Sequence, residues 1–294
     1  MKFFYNSLLL ITVVSATFSA RAQNVPDSTK KAVKSYFQGS VDFLTDAVYN
    51  GRKDSLANPY LSVDFGYYHK SGWYISGSAS YQTNNHVFDL FAIDAGYNWE
   101  ISDKLSASFN ADKPFYNKKS TSIASGIKGS LDAGLTYDTD FITAEASFSS
   151  VFSKKTDILT SGVLSHTFEI DGFNDDSYWG IKPEVTANFG TQNFFDDYKA
   201  RSSKRRGLSA TNTTISSNNK FQVLDYEFSL PVSYNAKNWG ITFSPVYAIP
   251  LNPVTTTTTV TTTTQAKTKT SVSTDTEKLR NLFYGQITFD FKFK

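Results

Sequence analysis

Phe91-Ala92-Ile93-Asp94-Ala95-Gly96-Tyr97-Asn98-Trp99 changes character at every step: Phe, Ile, Ala, Tyr and Trp at the odd positions, Ala, Asp, Gly and Asn between them. Successive side chains of a strand point to opposite faces, so this is a strand with one apolar face and one small or polar face. Ile101-Ser102-Asp103-Lys104 then reads as a short turn, and the alternation resumes at once with Leu105, Ala107, Phe109 and Ala111 against Ser106, Ser108 and Asn110.

The pattern extends in both directions. Before it lie Leu61–Tyr67 and Trp73–Tyr81; after it come Ile127–Tyr137, Ile142–Phe148, Ile158–Ile170 and Trp179–Phe189. Leu224–Tyr234, with Leu224, Tyr226 and Phe228 on the apolar side, Trp239–Ile249 and Phe283–Phe293 complete the series. Phe37–Thr45, with Val41 and Phe43 against Ser40 and Asp42, has the weakest pattern and makes a twelfth. Bacterial single-chain barrels have an even number of strands. The fold class expected is all-β, a transmembrane antiparallel up-and-down β-barrel of about twelve strands.

The connectors support this. His69–Gly72, Ile101–Lys104, Asp138–Asp140, Asp171–Ser177 and Asn235–Asn238 form one set, and every second connector belongs to another that includes Thr191–Lys220 and Asn252–Asn281; one neighbouring pair breaks the size rule, Ser153–Thr156 being shorter than Asp171–Ser177. Membrane barrels have short periplasmic turns and longer external loops, whereas a soluble sandwich has no reason to sort loops by parity. The aromatics agree. Trp73, Trp99, Trp179 and Trp239 all flank short turns, as do Tyr67, Tyr97, Tyr137 and Tyr234, each on the apolar face. That predicts a ring of amphipathic side chains at one membrane–water boundary; packing in a soluble core would not confine Trp to one end.

At the front, Lys2, the apolar run Leu8–Val14 and Ala20-Arg21-Ala22 form an export signal. The expected organisation is a signal peptide at 1–22 with Sec-type export, a periplasmic segment at 23–35, and an outer-membrane barrel at 36–294 with long external loops at 191–220 and 252–281. The apolar run is too short for a membrane helix, which needs about 20 residues. The chain has no Cys, which removes disulfides, thiol nucleophiles and a lipoprotein anchor. A net charge of +2 gives no argument for nucleic acid.

The final strand ends Phe289-Asp290-Phe291-Lys292-Phe293-Lys294 and resembles the C-terminal aromatic strand that barrel-insertion machinery reads, although here the aromatic is penultimate. The Val48–Ser55 stretch followed by Gly66–Gly72 resembles a Bacteroidota-type outer-membrane β-barrel group. The resemblance implies architecture and outer-membrane location, with no catalytic residue.

Chemistry is scarce. The three His, at 69, 86 and 166, have no ligand spacing. Ser165 and His166 are neighbours on a strand and so point to opposite faces, and no phosphate loop is present. No metal, cofactor or catalytic set is expected, and the enzyme reading is negative. By parity, Asp64, Asp94, Asp132, Glu145, Glu184, Asp225, Glu227 and Asp290 face the interior with few cations, namely Lys128, Lys182 and Lys292. Such an interior is either a solvated wall or a cation-favouring pore. Arg201, Lys204, Arg205 and Arg206 would plug the acidic interior or contact lipopolysaccharide. The tract Thr255–Thr264 is a flexible loop or, given the β-propensity of Thr, an extended hairpin.

The functional expectation is a passive narrow channel for small polar or cationic solutes, or a structural barrel. Alternatives are an outer-leaflet lipid-modifying enzyme and a surface-recognition protein working through the long loops. Partners would be outer-membrane lipids and lipopolysaccharide; oligomeric state is open.

Overall fold

The computed structural model describes residues 34–53, 58–194, 211–214, 220–263 and 268–293. The export signal and most of the loop at 191–220, including Arg201, Lys204, Arg205 and Arg206, lie outside the described residues.

One antiparallel sheet contains fifteen hydrogen-bonded segments, which make twelve strands because three strands are each broken once. The strands are Tyr36–Leu44, Tyr60–Tyr68, Trp73–Gln82, Val87–Glu100, Leu105–Tyr116, Gly129–Asp138, Thr143–Phe152, Thr156–Ser165 continued by Phe168–Asp171, Tyr178–Ile181 continued by Glu184–Gly190, Gln222–Ser229 continued by Val232–Asn235, Trp239–Pro250 and Leu282–Phe293. Each pairs with its sequence neighbours. The last also pairs with the first, from Phe37↔Phe293 to Leu44↔Gln286, so the sheet closes without an edge. The weakly patterned first strand is therefore part of the wall.

Closure matters because unpaired backbone groups cost several kcal/mol each in hydrocarbon. The breaks fall where proline intervenes. Pro183 and Pro231 have no N–H to give the ladder, yet their carbonyls accept from His166 and Lys182, and that of Pro245 accepts from Leu230. The wall thus stays continuous at a lower bond count.

Exposure alternates along the strands. In Trp239–Pro250 the odd positions face out and the even ones are buried, and most other strands follow suit. The outer face carries half-exposed Phe65, Phe109, Leu135 and Ile241 among many others. Left in water, each would cost on the order of 1 kcal/mol at roughly 25 cal/mol per Å²; in a bilayer they are at home.

Two bulges break the parity. Ser80 pairs with Leu90 but Tyr81 with Phe88, leaving Asp89 extra, and both Asp89 and Leu90 are buried. Asn188 pairs with Asp225 but Phe189 with Val223, leaving Leu224 extra. Spacing alone puts Leu224 on the lipid face, but the bulge turns it inside, where it is fully buried. Ile127 is likewise displaced from the lipid face: its strand begins at Gly129, and Ile127 is buried in a loop. Lys128, expected inside, precedes the strand and is exposed.

Outside the wall, Thr255–Thr263 and Thr268–Thr276 form a hairpin, joined by Thr211–Thr214 as a third strand. This is the extended alternative for the Thr-rich tract.

Candidate functional site: the acidic interior and the cap over its outer mouth

The inner wall is built from small and acidic side chains. Asp94, Asp132, Asp225 and Asp290 are buried, while Asp64, Glu145, Glu184 and Glu227 are partly shielded on the same side. Asp89, Asp112 and Asp157 join them there, each buried. Sequence reading missed all three. The Asp89 bulge is invisible to a period-two count, and Asp112 and Asp157 lie in the outer ends of strands that run further than the alternation suggested.

Among the described residues few interior cations oppose this charge, and Lys182 and Lys292 are engaged. Lys182 lies 2.9 Å from Glu184 and 3.8 Å from Glu145. Lys292 sits 3.4 Å above the Tyr36 ring. Tyr36 stacks on Tyr68, and Tyr68 on Tyr74, at 5.1 and 5.4 Å. Gly96 makes room for this row, since a Cβ there would come within 2.7 Å of the Tyr74 ring. Asp42 accepts hydrogen bonds from Ser40, Gln286 and Thr288.

At the end bearing the long connectors, loops turn inward. Val48–Tyr49 and Arg52–Lys53 form a small hairpin around Asn50 and Gly51, whose φ angles of 48° and 70° are left-handed. Asn-Gly is favoured where both central residues need positive φ. This signal stood in the sequence and was read only as part of a family resemblance. The hairpin tip presses on the wall: a Cβ on Gly51 would lie 2.8 Å from Asp225.

Around this hairpin two apolar clusters form. Tyr49, Ile123, Ala124, Ile127, Phe194 and Val254 pack on Val151, Leu159 and Leu224 of the wall. Ala47 and Val48 pack on Leu44, Tyr60, Val246, Ala248 and Tyr284 across from them. Tyr49 and Phe194 meet edge-on at 4.6 Å. Burial, and then the negative charges of Asp157 and Asp132, push the Tyr49 hydroxyl far above its ordinary range.

Polar groups fasten the cap. Asp157 accepts from the backbone N–H groups of Asn193 and Phe194 at 2.7 and 2.8 Å and from the Thr191 hydroxyl at 2.6 Å. Gln82 donates to Tyr60, Asp89 and Thr121, tying the 117–128 loop to the wall. Arg52 is buried in the cap as well. Its guanidinium donates to Glu277 at 3.2 Å and to the carbonyls of Asn50, Leu251 and Asn252 at 3.1, 3.4 and 3.1 Å. Burial lowers the Arg52 pKa and the Glu277 carboxylate opposes that shift.

The sequence-selected aromatics sit on the outer face beside the short turns. Trp73, Trp99, Tyr137, Trp179 and Trp239 are exposed, and Tyr67 and Tyr234 are partly so. Several touch: Tyr67 with Trp73 at 5.5 Å, Trp179 with Tyr234 at 5.0 Å, and Tyr234 with Trp239 at 5.6 Å. The opposite end carries a second, Phe-rich band that includes Phe88, Phe115, Phe152, Phe221 and Phe283. It was missed because Phe, unlike Trp, recurs all along the outer face.

Ser165 is buried inside, while His166 packs against Phe168 on the outer side at 4.5 Å, so the two do not meet. Among the described residues no group of three or more His, Cys, Asp or Glu could hold a metal ion.

No protein-family model matches the chain, and no curated protein matches its sequence. Solved structures similar to it in shape include a KdgM porin (11% identical, covering 88% of this chain and 99% of that one, TM-score 0.47). Others are a NanC porin (8% identical, covering 88% and 99%, TM-score 0.43) and a bacterial polysaccharide outer membrane secretin (9% identical, covering 90% and 100%, TM-score 0.40). The likeness is of barrel to barrel and says nothing of a solute.

Proposed function

We propose that the chain is an outer-membrane barrel forming a narrow, cation-favouring channel, held shut at its external mouth by a cap folded from its own loops. The observation that carries this reading is the sign of the interior: carboxylates on most strands, against lysines already engaged by Glu184, Glu145 and the Tyr36 ring. Rings of carboxylates favour cations. A twelve-strand cylinder lies between the packed eight-stranded and the open sixteen-stranded kinds, so what fills the mouth sets the conductance.

The apolar outer face, with Trp and Tyr at one end and Phe at the other, suits a bilayer. By the same rule the short turns are periplasmic and the cap is external. Export by a signal at 1–22 and insertion through the aromatic final strand complete the proposal, in keeping with the Bacteroidota-type resemblance. Lys118, Lys119, Lys154 and Lys155 belong to the external loops, as do Arg201, Lys204, Arg205 and Arg206, and would meet lipopolysaccharide phosphates.

Planar-bilayer recording across a tenfold KCl gradient tests the channel. The expected result is a small wild-type conductance with a reversal potential of cation-selective sign, and a larger conductance from a variant lacking residues 46–53. Silence from both, or anion selectivity, removes the channel. The three-stranded Thr-rich sheet beyond the wall favours a second reading, surface recognition. Replacing residues 255–276 by a short turn should then abolish cell-surface binding of the partner, and unchanged binding dismisses it.

A further inference from the structure

Among the described residues most interior carboxylates accept a hydrogen bond or sit in an ion pair, and Asp112 does neither. Asp94 and Asp112 are direct cross-strand partners, both inward, at 5% and 4% exposure. Side chains so paired have Cβ atoms about 4.5–5.5 Å apart, and like charges in that position oppose strand pairing. Asp94 accepts a hydrogen bond from the Asn110 amide at 3.3 Å. Asp132 accepts from the same amide at 3.2 Å and from Ser130 at 2.7 Å.

Asp112 has no such help. Among the described residues neither of its buried oxygens accepts a hydrogen bond, and Oδ1 of buried Asn110, two residues away on the same face, is also without a donor. No Lys or Arg among the described residues forms an ion pair with Asp94, Asp112 or Asp132. The adjacent Lys113 is on the other face, donating to the Lys128 carbonyl at 2.7 Å. Desolvated carboxylates facing each other are neutralised either by a shared proton or by a cation between them.

We propose that Asp94 and Asp112, with the amide oxygen of Asn110, hold a hydrated divalent cation against the inner wall. The donors are all oxygen and hard, which suits Ca²⁺ or Mg²⁺ over softer metals. Two carboxylates and one amide leave most of the coordination sphere to water, so the site needs no third acid. Its affinity should fall in the weak range of about 10⁻⁴–10⁻³ M. Asp132 is a positioning residue that fixes the Asn110 amide. The site shares the acidic interior with the proposed channel but requires neither ion flow nor a moving cap.

The test uses the full chain refolded from urea into detergent free of lipopolysaccharide, whose own phosphates bind divalent ions. Equilibrium dialysis against Ca²⁺, with Mg²⁺ as a second arm, should show about one ion per barrel. Asp112→Asn and Asp94→Asn should each weaken binding at least tenfold, while Asp290→Asn elsewhere on the inner wall binds as the native chain does. Heat-modifiable gel migration establishes that each variant is folded. No saturable uptake up to 10 mM, as would follow if the two carboxyls shared a proton, or uptake unchanged in Asp112→Asn, overturns the proposal. A barrel that binds Ca²⁺ yet passes no current defeats the channel and leaves the site standing. One that conducts cations and binds none defeats the site alone.

Discussion

Replacing Arg52 by Ala should open the outer mouth. Its side chain is 1% exposed and that of Glu277 15% exposed. Removing one member of a buried ion pair costs about 3–5 kcal/mol, because the other charge is left uncompensated. Here Glu277 keeps a hydrogen bond from the Val254 N–H at 3.2 Å and some contact with solvent, which argues for the low end, about 3 kcal/mol. The carbonyls of Asn50 and Asn252 lose donors at 3.1 Å, and that of Leu251 loses a longer contact. These can rehydrate and together add on the order of 1 kcal/mol. At 1.4 kcal/mol per decade, the closed-to-open ratio of the cap should fall by a factor of roughly 10²–10³. Single-channel recording should therefore show brief openings in the native chain become long ones in Arg52→Ala, with protease cleavage at 45–59 rising in parallel. Arg52→Lys keeps a charge near Glu277 but loses the planar fork that reaches the carbonyls, so it should fall between. If Arg52→Ala left both open time and protease access unchanged, the inward-folded cap would not be the gate.

Gly51→Ala should loosen the same hairpin by another route: a Cβ at positive φ is strained by about 1 kcal/mol, and it would meet Asp225 at 2.8 Å. Protease access at 45–59 should rise here too, and no rise would count against the pressed hairpin tip. Pro231→Ala supplies an N–H opposite the Lys182 carbonyl. The new hydrogen bond, about 1 kcal/mol, roughly offsets the 0.4–1 kcal/mol of chain entropy that proline withholds, so overall stability should barely move. Amide exchange in Phe168–Ile181 should nevertheless slow, and equal exchange would mean that the break has another cause. Quenching by lipids brominated at graded depths should place Trp73, Trp99, Trp179 and Trp239 at one shared, shallow level. Trp emission quenched most strongly from the bilayer centre would remove the aromatic boundary.

The strands were legible because alternation is local: Phe91 through Trp99 carry their facing in their own order. Facing follows from the pleat whatever the partners are, and so do the inward placement of Asp94 and Asp132 and the outward placement of Trp99 and Tyr137. The parity of the connectors is likewise a property of the chain read end to end. Asn50-Gly51 was a local signal too, and its hairpin could have been named in advance.

The remainder depends on residues far apart in the chain. That Phe37 pairs with Phe293 follows from the curvature of the whole sheet. The bulges at Asp89 and Leu224 arise from register between strands, which no single strand records. The cap joins Tyr49 to Phe194 and Arg52 to Glu277. Side-chain direction is thus written locally wherever a strand runs unbroken, because the pleat alternates it from one residue to the next. Closure, register and the filling of the mouth are decided only when distant segments compete for the same space and the same hydrogen bonds.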